Sequence, residues 1–271
     1  MRSFALLSTL LLLPTAAGGE IEADPAGDVA HADGLTGEAI YKAVVAHRLG
    51  AFYAEAELEN GNGAGDSRRM RFVMLWKDYR DEDPELLSLT RIELLWPFDL
   101  RFGGLKIEKK RGQPAQQWAY VPELRFNRRM SLRGVPLHGS CFTFDDIVPP
   151  EADEFRYRRL ADDVDGGRPV YVVELYPRPD AASAHSRIVV SIDQAREIPV
   201  RSRYWNAAGE LTKELRLPPG RVEHFEGSWF PMLWEMRSHS SGCFSTIRVS
   251  RFVANPELGP RAFDLGRLES H

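Results

Sequence analysis

Most of the chain alternates apolar and polar residues with a period of two. Phe52, Ala54, Ala56 and Leu58 alternate with Tyr53, Glu55, Glu57 and Glu59, the pattern of a half-buried strand with one wet face. In the next run Met70, Phe72, Met74 and Trp76 share one face while Arg71, Val73 and Leu75 take the other. Extended patterns continue at 87–96, 105–108, 118–121, 155–159, 170–175, 188–192, 198–201, 211–217, 222–225, 229–236 and 244–253. Turn signals separate them: Pro97 with Gly103-Gly104, Asp165-Gly166-Gly167, Ala207-Ala208-Gly209 and Pro218-Pro219-Gly220. Roughly eleven to thirteen short strands at this spacing predict an antiparallel sandwich or barrel rather than alternating βαβ units. A sheet that long curls, and a curled sheet has one face that can enclose a ligand.

One stretch has the other period. Ile40, Ala43, Val44 and His47 recur at helical spacing after the capping residue Thr36 and before Gly50, which predicts a helix over 37–49. The last apolar positions, Phe263, Leu265 and Leu268, read as a short terminal helix or strand. Residues 18–34 are rich in Gly, Ala, Asp and Glu without apolar period, as in a flexible leader. Before them Arg2, the apolar run from Leu6 to Leu13 and the small residues Ala16-Ala17-Gly18 form a signal-peptide pattern over 1–17. The run falls short of the roughly 20 apolar residues that cross a bilayer. No Cys follows it to accept a lipid anchor. The expected product is exported to the periplasm as one soluble domain over 35–271.

A net charge of -4 with 27% charged and 43% hydrophobic residues lacks the basic excess of a nucleic-acid binder. Catalytic and metal signatures are also missing. The seven histidines show no metal spacing, and no HExxH, GxSxG or GxGxxG occurs. The glycine-rich stretch 61–65 lies between two strands and reads as a hairpin tip. Gly139-Ser140-Cys141 beside His138 does not make a triad by adjacency. Asp145 and Asp146 point apart in either a strand or a helix, which favours capping or pairing with an arginine over joint acid-base work. No catalytic residue, metal or cofactor is expected. Cys141 and Cys243, the only cysteines, either form a bridge, favoured in an oxidising compartment, or stay as two buried thiols.

The positive signal is apolar. Trp76, Trp96, Trp118, Trp205, Trp229 and Trp234, with Met70, Met74, Met232 and Met236, sit on or beside strands. They suit either a packed core or a pocket for flexible apolar ligands. The basic run Arg125, Arg128, Arg129 and Arg133 reads as a solvated strand face or as a dock for an acidic partner or phosphate head groups.

A succession of motifs makes the reading more specific. Trp118-Ala119-Tyr120-Val121-Pro122 is followed by Arg128-Arg129, then Gly139-Ser140-Cys141-Phe142 with Asp146, a Tyr157/Arg158 strand, and Tyr171-Val172-Val173-Glu174-Leu175. Ile192-Asp193, Pro199-Val200-Arg201, Gly209-Glu210-Leu211-Thr212-Lys213 and Gly227-Ser228-Trp229-Phe230-Pro231 complete the order. From about residue 35 onward this resembles the LolA-like outer-membrane lipoprotein-sorting family. The resemblance implies a mainly β fold: an unclosed antiparallel β-barrel of about 11 strands with an N-terminal helix and short plug or lid helices. It implies a carrier and not an enzyme, a monomer whose apolar cavity takes acyl chains of a lipid or lipoprotein in transit toward the outer membrane. The expected cavity residues are Phe72, Met74, Trp76, Trp96, Trp118, Tyr120, Phe142, Phe144, Ile147, Trp229, Met232 and Trp234. Inner-membrane transporters of the RND/MMPL class are the implied partner type. An alternative role is an envelope adaptor or sensor that binds such a partner through Arg125, Arg128 and Arg129 without cargo. Cys141 stands where relatives are expected to carry Asp, which suggests a disulfide in place of that acid.

Overall fold

A computed structural model describes residues 27–61, 67–98, 101, 103–121, 126–129, 131, 134–148, 151–179, 181 and 183–265. The order begins with α1 (Gly37–Ala46), β1 (Ala51–Gly61), β2 (Ser67–Asp78), β3 (Leu86–Trp96), β4 (Gly104–Lys110), β5 (Gln116–Val121) and β6 (Phe126–Arg129). A plug segment over 136–148 then carries the 3-10 turn Leu137–Gly139 and the short helix α2 (Phe144–Ile147). After a second 3-10 turn, Ala152–Glu154, come β7 (Phe155–Arg159), β8 (Asp163–Asp165), β9 (Arg168–Pro177), β10 (Arg187–Asp193), β11 (Ile198–Trp205) and β12 (Leu211–Arg216). The remaining strands are β13 (Val222–Phe225), β14 (Ser228–Pro231), β15 (Leu233–Ser238) and β16 (Phe244–Ala254).

Fourteen strands form one sheet in the order β6-β5-β4-β3-β2-β1-β16-β15-β12-β11-β10-β9-β7, with β8 beside β9 and a separate β13-β14 ribbon. Among the described residues its edge strands β6 and β7 do not pair, so the barrel is unclosed, as the resemblance implied. The described strands outnumber the expected eleven or so. β8, three residues long, carries no visible alternation, and the extended pattern over 229–236 divides into β14 and β15. The chain passes from one open edge, β6, to the other, β7, through the plug.

The sequence alternation fixes which face turns inward. Phe52, Ala54, Ala56 and Leu58 of β1 lie opposite Trp76, Met74, Phe72 and Met70 of β2, and all eight are buried. On the other side of β1 the same face continues into Phe252, Val249 and Ile247 of β16, across a bulge between Glu55 and Ala56. The plug supplies Leu137, Phe142, Ile147 and Val148 to this core. Leu75, on the outer face, packs instead with Tyr79, Leu89 and Phe263. Of the C-terminal apolar residues, Phe263 closes a 3-10 turn, Pro260–Phe263, against the outside of the sheet, Leu265 follows it outside any helix or strand, and Leu268 lies outside the described residues.

α1 begins where expected, with the Thr36 hydroxyl accepting from Ala39 N at 3.1 Å. It ends at Ala46, short of 49, because Asn255 Oδ1 accepts from Gly50 N and Ala51 N at 3.0 and 3.1 Å and draws the chain into β1. Residues 27–34, expected within a flexible leader, are tied down instead. Asp28 accepts from the backbone N–H groups of Gly37, Glu38 and Arg159, satisfying helix N-terminal donors that have no partner inside the helix. Arg159 also donates to both Asp33 oxygens, and this holds the Asp33 carboxyl down at about 2. Gly37 is required there: a Cβ would stand 3.0 Å from both Arg159 N and Val173 Cγ1. α1 lays Ile40 and Tyr41 on Phe155, Tyr157, Val173 and Leu175, which covers the β7-β9-β10 end of the sheet. β1 and β2 pair up to Gly61 and Ser67, as a hairpin does; its tip, 62–66, lies outside the described residues. No helix among the described residues is long and apolar enough to cross a membrane.

Candidate ligand cavity

The curled sheet, α1 and the plug leave a cavity of about 1130 Å³ between them. One wall is the inner face of β9 to β12 and its continuation, with Leu175, Ile188, Val190, Ile198, Leu215 and Leu217. Ile107 and Leu87 of β4 and β3 stand across from it, and Tyr41 and Val44 of α1 close one side. Ile147 and Val148 of the plug and Trp229 and Trp234 from the β14-β15 region complete the lining.

Three of the twelve expected cavity residues, Ile147, Trp229 and Trp234, line this space. Trp234 is oriented by its indole N–H, which donates to Pro231 O at 3.0 Å. Trp229 is covered by the Arg196 guanidinium, 4.7 Å from its ring centre. Phe72, Met74, Trp76, Phe142 and Met232 belong to the packed core instead. The reason lies in the neighbours: Phe52 stacks on Trp76 and on Phe252, each at 5.7 Å, and Phe230 stacks on Phe252 at 4.1 Å. Those aromatics fill the space between β1, β2 and β16, and Phe142 of the plug is fully buried in the same core cluster. Trp96 is exposed at the end of β3. Trp118 and Tyr120 are half-buried on β5. The backbone of Phe144 lies in α2, and its side chain is outside the described residues.

The plug is held at two points. Cys141 and Cys243 form a disulfide across a separation of 102 residues, with Cα atoms 5.9 Å apart. Cys141 is therefore no nucleophile, and its N–H donates to Ser245 Oγ at 3.0 Å. At the other point Asp146 accepts from Thr143 N and Thr143 Oγ1 at 2.7 and 2.9 Å, capping α2. Its remaining partner is Lys213 of β12, a lysine rather than one of the nearby arginines expected from the sequence.

Polar residues that sequence reasoning did not single out also reach the cavity: Arg48, Glu151, His185, Ser202 and Tyr204. The strict alternation Ile198, Val200, Ser202, Tyr204 on β11, all buried, was the signal that could have placed the last two. His185 faces Tyr204 at 4.8 Å between ring centres. Burial, reinforced by the Lys213 charge, pushes its imidazole down to about 4. Burial likewise pushes the Tyr204 phenol far up, with the Asp146 charge adding to the effect. Both groups are neutral at pH 7, so this part of the wall offers hydrogen bonds without net charge. Arg128 and Arg129 are exposed on the edge strand β6, and Arg129 reaches the cavity rim opposite Trp118. Arg125 lies outside the described residues.

A family model described as an uncharacterized protein matches residues 102–270. The chain belongs to that family. The family match spans β4 to β16 and hence the plug, the disulfide and most of the cavity wall. No curated protein matches the sequence. Among solved structures, the chain is similar to a DUF1329 family protein from Desulfovibrio piger, with a TM-score of 0.78 and 20% identity over 84% of this chain and 95% of that one. An outer membrane lipoprotein-sorting protein domain from Vibrio parahaemolyticus gives a TM-score of 0.76 and 20% identity over the same shares, 84% and 95%. A LolA superfamily protein from Nitrosomonas europaea gives 0.67 and 18% identity over 85% and 98%. The chain thus shares the fold of these three structures, and in it the plug is fastened by Cys141–Cys243.

Proposed function

We propose that this chain is a soluble periplasmic carrier, not an enzyme, that takes acyl chains of a lipid or lipoprotein into the cavity for transport toward the outer membrane. The observation that carries the reading is the cavity itself. At about 1130 Å³ it lies at or above the upper end of the range for small-molecule sites, roughly 300–1,000 Å³. Its main wall is a row of aliphatic side chains on β9 to β12 with Trp229 and Trp234 beside them. A concave site of this size with an aliphatic wall is the form that small-molecule sites take, and acyl chains match the chemistry of that wall. The likeness to a lipoprotein-sorting domain supports the cargo class, and the signal-peptide pattern of residues 1–17 supports export of the single domain 35–271. Ile147, Trp229 and Trp234 are the proposed acyl contacts.

The test is a titration with a fluorescent fatty-acyl probe. Saturable binding with blue-shifted emission, displaced by unlabelled fatty acid, is the expected result; no binding contradicts the reading.

One observation favours a second reading alongside it. β6 is an open sheet edge with Arg128 and Arg129 exposed, a surface suited to an acidic segment of a partner such as an RND/MMPL-type transporter. Reversing the charge of Arg128, which lies outside the cavity lining, should abolish partner capture while leaving probe binding intact; capture that survives the reversal removes this reading.

A further inference from the structure

The aliphatic wall of the cavity is interrupted at two neighbouring inward positions of β11. Register sets Ser202 beside Val190 of β10 and Leu215 of β12, and Tyr204 beside Ile188 and Lys213. Both residues line the cavity, and they are only 7% and 8% exposed. His185, from the connection between β9 and β10, lines the same stretch with its ring centre 4.8 Å from that of Tyr204. The Ser202 hydroxyl donates toward the Tyr204 oxygen, which leaves the phenolic O–H as the outward donor. His185 donates to Ser183 Oγ from its backbone N–H, and its ring nitrogens have no hydrogen-bond partner among the described residues. Trp76 Nε1 and Thr90 Oγ1 are sealed in the core without partners, whereas the polar atoms of Ser202, Tyr204 and His185 are not shut away in that manner.

A hydroxyl on a buried apolar wall costs free energy unless it is paired. Two donors, the Tyr204 O–H and the N–H of a neutral imidazole, therefore mark where an acceptor on the occupant belongs. A bare hydrocarbon would leave both unpaired. A carboxylate would meet the wrong electrostatics: Asp146 also lines the cavity, and Lys213, whose Nζ lies 5.0 Å from the Tyr204 ring centre, is already engaged by both Asp146 oxygens at 2.7 Å. An anion placed here would shed its water with no cation left to compensate it. An uncharged carbonyl oxygen, with two lone pairs, accepts from both donors.

Building on the carrier reading, we infer that Tyr204 and His185 form a carbonyl subsite that holds the ester linkage of an acylated cargo, with Ser202 orienting the phenol. The acyl chain then lies along Ile188, Val190 and Leu215. This linkage is shared by phospholipids and by the diacylglyceryl group of lipoproteins.

The experiment is displacement of the fluorescent fatty-acyl probe at neutral pH by methyl palmitate, palmitate and hexadecane. The methyl ester should displace the probe at about fivefold lower concentration than either of the others, as one added neutral hydrogen bond predicts. Tyr204→Phe keeps the ring and its volume, so it should erase the advantage of the ester over hexadecane and leave hexadecane itself unchanged. In the wild-type protein the infrared carbonyl band of methyl palmitate labelled with carbon-13 should move to lower wavenumber than in an alkane solvent, a readout that needs no variant. Equal displacement by ester and alkane, an unshifted band, or an ester preference that persists in folded Tyr204→Phe each overturns the subsite and leaves the carrier reading standing. A phosphatidylglycerol and a diacylglyceryl-cysteine peptide, both bearing the ester, distinguish the sources by which of them displaces the probe; displacement by neither overturns the assignment. If the probe itself does not bind, the carrier reading and the subsite fall together.

Discussion

Lys213 Nζ lies 2.7 Å from each carboxylate oxygen of Asp146, and both side chains are more than nine-tenths buried. Because Asp146 also caps α2 through Thr143, this one pair fixes the plug helix to β12 in the wall of the barrel. Removing one partner leaves the other charge buried without compensation. Lys213→Met should therefore destabilise the fold by about 3–5 kcal/mol. Adding Asp146→Leu should recover part of the loss although the cap goes with it. Urea midpoints of the two variants check this; a double variant less stable than the single one contradicts it.

The disulfide holds the same plug from the other side. In the loop-entropy picture a closed loop of 102 residues contributes about 4–5 kcal/mol. Reduced wild-type protein and Cys141→Ser/Cys243→Ser should both lose stability of that order in denaturant titrations. Non-reducing peptide mapping of the native protein should recover the Cys141–Cys243 peptide pair.

Two kinds of tryptophan should separate by phenotype. Trp76 is 2% exposed and stacked on Phe52, so Trp76→Ala should cost about 3–5 kcal/mol of stability. Trp229 and Trp234 are partly exposed and line the cavity. Alanine at both should weaken a fatty-acyl probe several-fold, with a much smaller shift in the urea midpoint than Trp76→Ala causes.

His185 gives a pH signature of known sign. The unfolded imidazole titrates near 6.5 and the folded one at about 4, chiefly through burial. As pH falls below about 6.5 the unfolded chain takes up a proton that the folded chain refuses. The contribution is complete above that pH and is lost progressively down to about 4. His185→Gln should flatten the decline in urea midpoint between pH 7 and pH 4.5; an unchanged slope contradicts the assignment.

Much of this fold was legible because period-two patterning is a local signal. The face of β1 and the cap of α1 followed from adjacent residues. The motif order from Trp118 to Pro231 located the LolA-like barrel without any long-range contact. What was not legible depends on distant partners. Trp76 and Trp234 look alike in sequence, and only the arrival of the plug and β16 makes one core and leaves the other facing the cavity. Lys213 reads as an exposed strand residue until Asp146, 67 positions away, reaches it. Asp28 and Asp33 read as part of a flexible leader until Arg159 gathers them. The short strands β13 and β14, which bring Trp229 to the cavity, are held as a separate ribbon, a placement that four-residue patterns do not encode.

The claim that the cavity holds acyl chains is tested most directly by purifying the exported protein without detergent, recording its native mass and extracting it with organic solvent. The account predicts adducts in the mass range of one acylated molecule per protein, released on extraction and reduced in a Trp229→Ala/Trp234→Ala variant. An adduct-free mass that stays unchanged on exposure to fatty acid or phospholipid vesicles would contradict it.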